Sequence, residues 1–494
     1  MIGLSKTPLS LEGANRTKTC NKNPLLLLAL AVGSVVTGQV EAQIFTNLHN
    51  FTATSSETNH EGANPQAGLV LSGNTLFGTA SAGGSSSNGT VFSVNTDGKG
   101  FTVLYSFSVR HFDGPTGYYL NNDGAFPNAV ILSGNTLYGT TFNGGTNGIG
   151  TVFRVNTDGT GFTNLHSFVD NGSDGATPVA GLILSSNLLY GTGYQGGSSG
   201  NGTIFAIRTD GTGYTNLYSF TATSGAYSTN RDGAVPSSTL LLSGNALYGT
   251  ASQGGSSGSG TIFVIRTDGT GFTNLHSFIG SDGAYPFARL VLSGDTLYGT
   301  TDNGGSSGAG TVFKVNTNGT GFTKLHSFIV SDGAYPEAGL ILSGTTLYGT
   351  AYQGGAGNGT VFKLSTNGTG FATLHNFTGS GPFSNYTNSD GAKPFGGLIL
   401  SDGTLYGTTL TGGTSGNGTL FKLSLRLQLT IARSVSKIVL TWPTNAMGFI
   451  LQSTTNLGLP AVWTTVSPGP VVVNGQDTVT NPITGTQQFY RLSQ

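Results

Sequence analysis

Seven acidic residues each begin the same short motif, acidic-Gly-Ala-x-Pro, and they are the first candidates for chemistry in the chain. A ring of carboxylates would bind a cation or the hydroxyl groups of a sugar. The structural interpretation is that each carboxylate accepts backbone N–H bonds within its own turn, before Gly and Pro. Recurrence in every repeat favours the structural interpretation, because a functional site usually breaks symmetry. The seven residues are Glu61, Asp123, Asp174, Asp232, Asp282, Asp332 and Asp390.

The x residue of this motif does break the symmetry, and so do three insertions at 108–122, 221–231 and 378–389. The x residues are Asn64, Phe126, Thr177, Val235, Tyr285, Tyr335 and Lys393. Flat aromatic faces suit sugar rings and peptide side chains alike. The candidate ligand-binding residues are therefore His111, Phe112, Tyr118, Tyr119, Phe126, Tyr227, Tyr285, Tyr335, Phe383 and Tyr386.

Histidine recurs at one position of the repeat, which two repeats fill with tyrosine. These residues are His49, Tyr105, His166, Tyr218, His276, His326 and His375. A zinc site does not fit, since each residue belongs to a different repeat and tyrosine replaces histidine. We interpret the position as a hydrogen-bonding aromatic residue on the outer strand. Only His60 and His111 lie outside this pattern.

No catalytic residue, metal site or cofactor is predicted. Three Gly-x-Ser-x-Gly segments, at 196–200, 254–258 and 304–308, lie between strands, whereas a nucleophile elbow needs a strand followed by a helix. Glycoside cleavage needs two carboxylates that flank one bond. The sequence does not show that any two of the scattered acids meet. Those acids are Glu57, Asp113, Asp170, Asp302 and Glu337.

The elements that would position these residues come from a tandem repeat. An aromatic-Gly-Thr triplet recurs seven times, at Phe77, Tyr138, Tyr190, Tyr248, Tyr298, Tyr348 and Tyr406. Each repeat contains four short runs rich in Val, Ile, Leu, Thr, Phe or Tyr, bounded by Gly, Asn and Ser, which predict four strands. Seven such repeats predict an all-β fold, a seven-bladed β-propeller.

The ends of the repeat region predict how the propeller closes. Residues 44–51 read as a fourth strand with no repeat before it, and the seventh repeat stops after its third strand, at 421–424. The N-terminal strand is therefore expected to complete the last blade. The acidic motifs, the Gly-Gly loops and all three insertions fall on one face of such a propeller, and repeat proteins usually bind on their variable face.

The two ends of the chain differ from the repeats. Residues 1–42 read as a signal peptide, with Lys and Arg before the apolar run 25–32 and expected cleavage after Ala42. Residues 425–494 hold both tryptophans and read as a small β-sandwich of fibronectin-III or immunoglobulin type, with Trp442 in its core. The propeller is assigned to 43–424. We expect a secreted protein, in the periplasm, on the cell surface or in the medium, with no membrane span in the mature chain.

The repeat unit resembles the GloVer-type tandem repeat over residues 44–424. The residues that carry the resemblance run from Gly-Leu-Ile-Leu-Ser-Gly through Leu-Tyr-Gly-Thr and Gly-Gly to Gly-Thr-Val-Phe-Lys, as in 339–363. That repeat occurs in secreted bacterial proteins described as choice-of-anchor. The resemblance implies an exported propeller with a variable C-terminal module and no known reaction. Here that module resembles the fibronectin-III-like modules of other secreted bacterial proteins.

Three functions are consistent with these patterns. The favoured one is a non-catalytic binding propeller for an extracellular polysaccharide or protein, because no asymmetric catalytic set is visible. The second is a polysaccharide-active hydrolase or lyase that uses loop-face residues such as His111, Asp113 and Tyr119. The third is a structural component of the cell surface or matrix. A formal net charge of −1 argues against nucleic acid as a partner.

Overall fold

The computed structural model describes residues 28–29, 44–169, 171–379, 387–425, 430–434, 437–443, 450–455, 462–473, 476–482 and 488–493. These residues form antiparallel strands and turns and no helix, so the predicted all-β class is confirmed. The chain divides into two compact units. The larger is Ala42–Arg426, and the smaller combines Met1–Glu41 with Leu427–Gln494.

Seven antiparallel sheets, named I to VII, follow one another along the larger unit. Each has a short first strand, long second and third strands, and a fourth strand at its outer edge. The strands are, for sheet I, Val70–Ser72, Thr75–Ala80, Thr90–Asn95 and Thr102–Ser106; for II, Ile131–Ser133, Thr136–Asn143, Thr151–Asn156 and Thr163–Ser167; for III, Ile183–Ser185, Leu188–Gly193, Thr203–Arg208 and Thr215–Ser219; for IV, Leu241–Ser243, Ala246–Gln253, Thr261–Arg266 and Thr273–Ser277; for V, Val291–Ser293, Thr296–Thr301, Thr311–Asn316 and Thr323–Ser327; for VI, Ile341–Ser343, Thr346–Ala351, Thr360–Ser365 and Ala372–Asn376; for VII, Ile399–Ser401, Thr404–Thr409, Thr419–Ser424 and Ile44–Asn50.

The fourth strand of sheet VII is the N-terminal strand, which pairs antiparallel with Thr419–Ser424 as the sequence predicted. Additional short strands decorate the loops. Within the 108–122 insertion, two strands pair as a hairpin, named here the 111–120 hairpin. The additional strands are His111–Asp113, Tyr118–Leu120, Ala125–Pro127, Gly175–Ala176, Gln195–Gly196 and Ala234–Pro236.

The aromatic-Gly-Thr triplet forms the centre of each second strand because its glycine makes room for a phenylalanine. In sheet II, Gly139 pairs with Phe153 of the third strand. A Cβ atom at Gly139 would lie 2.6 Å from the Phe153 ring, whose side chain is fully buried. The ring therefore crosses over the glycine and fills the space between neighbouring sheets, where Leu137 and Val155 join it.

Stacked rings connect the outer strand of each sheet to that of the next. The seven pairs have centroids 3.7–4.1 Å apart and nearly parallel planes. The N-terminal strand supplies two of these rings, since Phe45 stacks on His375 of sheet VI and His49 stacks on Phe101 of sheet I. The series of contacts therefore returns from sheet VII to sheet I. The other pairs are Tyr105–Phe162, His166–Tyr214, Tyr218–Phe272, His276–Phe322 and His326–Phe371.

A second series of contacts connects the loops near the first strands. The x residue of every acidic motif has a left-handed backbone, with φ between 45° and 61°. Its N–H donates to a carbonyl of the preceding sheet at 2.7–2.9 Å. The proline that follows packs on a glycine of that sheet; a Cβ atom at Gly310 would lie 2.6 Å from Cδ of Pro336. The motif of sheet I bonds to Asn417 of sheet VII, so this series also returns to its start.

The smaller unit contains two four-stranded antiparallel sheets. Both contribute to one core, in which Leu451 and Tyr490 from one sheet pack with Leu440, Trp442 and Val479 from the other. Trp442 is buried, as predicted. One sheet consists of Leu28–Ala29, Phe489–Ser493, Ile450–Thr454 and Thr464–Thr465, and the other of Thr430–Ser434, Lys437–Pro443, Gln476–Pro482 and Val471–Val473.

The predicted signal peptide at 1–42 lies outside the described residues except for Leu28–Ala29, which pairs with Phe489 and Tyr490. Its assignment stays a prediction. Across the described ranges, the chain offers no helix with the length and apolar character needed to cross a membrane.

The seating of the N-terminal strand can be tested by removing its two main apolar anchors. Phe45 packs against the core between sheets VI and VII, and Leu48 packs against the core between sheets VII and I. We expect the double variant F45A/L48A to lower the free energy of unfolding by about 4 kcal/mol, since each anchor is partly buried. Urea denaturation monitored by far-ultraviolet circular dichroism measures this change.

The control is F112A, because Phe112 is an exposed aromatic residue of the 111–120 hairpin. Its stability should stay within about 0.5 kcal/mol of the unmodified protein. Equal denaturation midpoints for F45A/L48A and F112A would contradict the seating described here.

Candidate functional site

The seven repeated acids form pairs with the seven outer-strand aromatic residues. His166 Nε2 lies 2.9 Å from Asp174 Oδ2, and the Tyr105 hydroxyl donates to Asp123 Oδ2 at 2.8 Å. The carboxylates also accept backbone N–H bonds from the loop that follows the outer strand, as Asp174 does from Val169. The same partners recur in Glu61–His49, Asp232–Tyr218, Asp282–His276, Asp332–His326 and Asp390–His375.

These acids are turn residues in the structure, and none of the seven lines either cavity described below. From the sequence, the histidine position and the acidic motif were interpreted as separate features, although both recur in the same order in every repeat. Only the tertiary structure shows that they are partners. Desolvation raises the pKa of Asp282, but the hydrogen bonds from His276 and the Ile279 N–H outweigh it, and the pKa is lowered overall. The Asp282 carboxylate thus stays ionised as an acceptor.

A cavity of about 930 Å³ lies where the first strands of the seven sheets come together. Residues of every sheet line it, mostly from the segments just after the proline of each acidic motif. The lining positions directly after these prolines are Gln66, Asn128, Val179, Ser237, Phe287, Glu337 and Phe395. A symmetric scaffold therefore presents a wall that differs at each step around the cavity.

Two ionisable side chains, Arg289 and Glu337, line this central cavity from neighbouring sheets. Desolvation lowers the pKa of the Arg289 guanidinium, although the side chain is exposed to the cavity. Desolvation and then the charge of Asp302 raise the pKa of Glu337 to about 8. Desolvation raises the pKa of Asp302 to about 6. The described residues contain no ion pair between Arg289 and Glu337, so both groups can face a ligand.

A second cavity, of about 450 Å³, lies between sheets I and II beside the 111–120 hairpin. Asn64, Ala82 and Phe126 line both this cavity and the central one, so the two are contiguous. Arg110 and Tyr119 line its outer part. The guanidinium carbon of Arg110 lies 4.5 Å from the Phe126 ring centroid and 5.5 Å from that of Tyr119.

The predicted ligand-binding residues are only partly brought together. His111, Phe112, Tyr118 and Tyr119 share the hairpin, where the Phe112 and Tyr119 rings lie 5.3 Å apart. Of the predicted residues that are described, Phe126 and Tyr119 line a cavity.

The other predicted residues lie elsewhere. Tyr227 is 79% exposed and Tyr285 is exposed as well, outside the lining of both cavities. Tyr335 packs against the core between sheets V and VI. Phe383 and Tyr386 lie outside the described residues, and so does Asp170.

Sequence reasoning missed Arg110 and Arg289. Arg289 occupies a position of the repeat that is glycine in sheets I, III, VI and VII, so a charged residue at a small-residue position was the available signal. Arg110 belongs to an insertion, for which no other repeat offers a comparison. Within the described ranges, no three His, Cys, Asp or Glu residues form a group that could hold a metal ion.

A model of the Gloeobacter/Verrucomicrobia repeat matches residues 117–231 and 236–456, about two thirds of the chain. The chain belongs to this Gloeobacter/Verrucomicrobia repeat family. The predicted GloVer-type resemblance is thereby confirmed. No curated protein matches the sequence.

Several solved structures resemble this member of the Gloeobacter/Verrucomicrobia repeat family at a distance. An oligogalacturonate lyase in complex with manganese is 12% identical, with a TM-score of 0.48 over 81% of this chain and 96% of the lyase. TolB from Acinetobacter baumannii is 10% identical, with a TM-score of 0.34 over 86% of this chain and 78% of TolB. The computationally designed Ika8 protein is 15% identical, with a TM-score of 0.39 over 79% of this chain and 96% of the designed one. These likenesses are too distant to carry an argument.

The acid–histidine pairs predict acid lability of this repeat protein. Desolvation lowers the pKa of His326 despite the neighbouring Asp332. The unfolded chain therefore takes up more protons as the pH falls below about 6.5, which costs stability. The lowered pKa of Asp282 and Asp390 adds a further loss below about pH 4. We expect the melting temperature to fall between pH 7 and pH 5 and to fall again below pH 4.

The variant H326Y isolates the histidine part, since tyrosine fills the same position at Tyr105 and Tyr218. It should fold and lose less melting temperature between pH 7 and pH 5 than the unmodified protein. The exposed His60 provides the control variant H60Y, which should leave the pH dependence unchanged. An H326Y protein with an unaltered pH profile would refute this account.

The position of the 111–120 hairpin depends on a glycine in sheet II. A Cβ atom at Gly148 would lie 2.5 Å from Cβ of Tyr118. Gly308 holds the same place in sheet V with a similar left-handed φ, but open space surrounds it. We expect G148A to displace the hairpin and raise deuterium uptake at 111–120, whereas G308A adds the same backbone strain without moving it. Equal uptake in the two variants would exclude this packing role.

Proposed function

We propose that sheets I to VII are the blades of a closed seven-bladed β-propeller and that the smaller unit is a β-sandwich of fibronectin-III or immunoglobulin type. The propeller is supported by the two series of contacts that run from each sheet to the next and from sheet VII back to sheet I. The sandwich is supported by the single core that two four-stranded sheets share.

We propose that the protein is exported through the signal peptide at 1–42 and binds an extracellular polysaccharide or protein in the central cavity. The observation that carries this proposal is the cavity of about 930 Å³ that all seven sheets line. A concave site with an apolar wall and a few convergent polar groups is the usual form of a ligand-binding site. Residence in the periplasm, on the cell surface or in the medium all agree with export.

The wall of the central cavity suits a sugar or peptide chain. Phe287 and Phe395 supply apolar faces, while Asn128 and Ser237 supply donors and acceptors for hydroxyl or amide groups. Arg289 adds a positive charge, and Glu337, which is mainly protonated at neutral pH, adds a hydrogen-bond donor and acceptor at one side of the cavity; together they would orient a ligand. These residues are sufficient for a binding role, because none of the contacts depends on a chemical reaction.

A second candidate function, polysaccharide cleavage, is favoured by one observation. Glu337, with a pKa of about 8, is protonated at neutral pH, and Asp302, with a pKa of about 6, is mostly ionised. Two carboxyl groups whose pKa values are held apart can act as general acid and general base. On this hypothesis Glu337, which lines the central cavity, would protonate a leaving oxygen, while Asp302, which lines neither cavity, would act through its charge on Glu337.

The test is a screen of the mature chain, residues 43–494, against arrays of extracellular polysaccharides and proteins, with product release measured in parallel. R289Q and E337Q alter the cavity, and D97N is the control because Asp97 is an exposed turn residue. The binding proposal expects saturable binding that R289Q weakens about tenfold or more and D97N leaves unchanged. Binding that R289Q leaves unchanged would overturn this site.

The same variants decide the second candidate. Product release that E337Q abolishes while binding persists would establish cleavage, since the amide keeps the shape of the side chain and loses the acid. A screen without product release leaves the binding role.

A further inference from the structure

The cavity beside the 111–120 hairpin has a guanidinium without a carboxylate partner. Arg110 Nε donates to Asn88 Oδ1 at 2.9 Å, which holds the guanidinium plane in place. Among the residues that the structure describes, no protein group accepts a hydrogen bond from the two terminal nitrogens. The side chain is half-buried, and desolvation lowers its pKa. A fixed, partly desolvated cation with two free donor groups is matched by a carboxylate.

Aromatic and amide groups surround this guanidinium. The Phe126 ring lies on one side of it, and Tyr119, which is 53% exposed, lies within 5.5 Å. Asn64, Asn88 and Asn417 line the same cavity, with Ser86, Ser87 and Thr54. Flat rings beside planar amides and small hydroxyl side chains suit the faces and hydroxyl groups of a sugar ring better than the aliphatic side chains of a protein partner.

The two cavities share three lining residues, so one chain-like ligand can occupy both. Phe126 lies between Arg110 in the outer cavity and the wall of the central cavity. The outer cavity, of about 450 Å³, and the central cavity, of about 930 Å³, both have the volume of a ligand-binding cavity. The shape therefore favours a polymer over an isolated anion.

We propose that the cavity beside the 111–120 hairpin is a subsite for the carboxylate of an acidic sugar in a polysaccharide that continues into the central cavity. The inference rests on the proposed function, because the same polysaccharide fills the central cavity. The terminal nitrogens of Arg110 bind the carboxylate, and Phe126 and Tyr119 contact the sugar ring. Glu57 also lines this subsite, from an exposed position, and opposes the carboxylate. Its charge limits how many acidic groups the subsite accepts.

The test measures calorimetric affinity for matched acidic and neutral oligosaccharides. The probes are hexamers of β-1,4-linked mannuronate and of α-1,4-linked galacturonate, their methyl esters, and mannohexaose as a neutral counterpart. The full mature chain should prefer the acids to the esters, and R110Q should lower the affinity for the acids about tenfold or more without affecting the neutral probes. R110K should fall between, since lysine keeps the charge and loses the two-pronged geometry.

Two further variants sharpen the result. E57Q should bind the acidic probes more tightly, because it removes an opposing charge. R289Q should weaken acidic and neutral probes together, since it acts in the central cavity. Melting temperatures of all variants, matched to the unmodified protein, confirm that each one folds.

The outcomes separate the two proposals. Binding of acids and esters with equal affinity, or an unaltered acid affinity in R110Q, would overturn the subsite while leaving the central cavity as the binding site. Failure to bind any acidic probe, with a protein ligand found in the screen, would also overturn the subsite and leave the proposed function standing. If the protein bound no polysaccharide and no protein in the screen, both the subsite and the proposed function would be overturned.

Discussion

The hydrogen bond from the x residue of each acidic motif to the preceding sheet is the constraint on which the larger unit depends. It requires a left-handed backbone even at Val235, although a β-branched side chain disfavours that conformation. The proline that follows cannot donate and instead packs on a glycine of the same neighbouring sheet. Each sheet is thus joined to the one before it through backbone atoms, independently of the x side chain.

Contacts made by backbone atoms explain how a repeated scaffold can carry a site whose side chains differ from one sheet to the next. Because backbone atoms make the contact between sheets, the side chains at the x position and at the position after the proline are free to differ. The x residues include Asn64 and Lys393, and the residues after the proline include Val179 and Glu337. Insertions follow the same logic, since they enter where the outer strand has ended. The chemistry of the cavities therefore comes from departures from the repeat, such as Arg110 and Arg289, rather than from the repeat itself.

The ionisable groups fall into two sets with opposite environments. The repeated acids accept hydrogen bonds from histidine or tyrosine and from the backbone, which together offset the cost of burial, as for Asp390. For Glu337 and Asp302 desolvation is the largest effect and raises the pKa of both, although Asn303 Nδ2 donates a hydrogen bond to Asp302 Oδ2. The repeated carboxylates, which accept several hydrogen bonds, hold turns in place. Carboxyl groups whose pKa is raised by burial are available to a ligand or a proton.

The sequence by itself determined the all-β class, the four strands of each repeat, the pairing of the N-terminal strand with the seventh repeat, and the burial of Trp442, because these follow from local patterning and from counting strands. It also favoured the interpretation that the repeated acids are turn residues. Only the tertiary structure decided that each acid pairs with an outer-strand histidine or tyrosine, that Tyr335 packs inward while Tyr119 lines a cavity, and that Arg110, Phe126 and Asn64 share one groove. Those contacts join residues of different sheets, and their distances depend on how the sheets pack rather than on spacing along the chain.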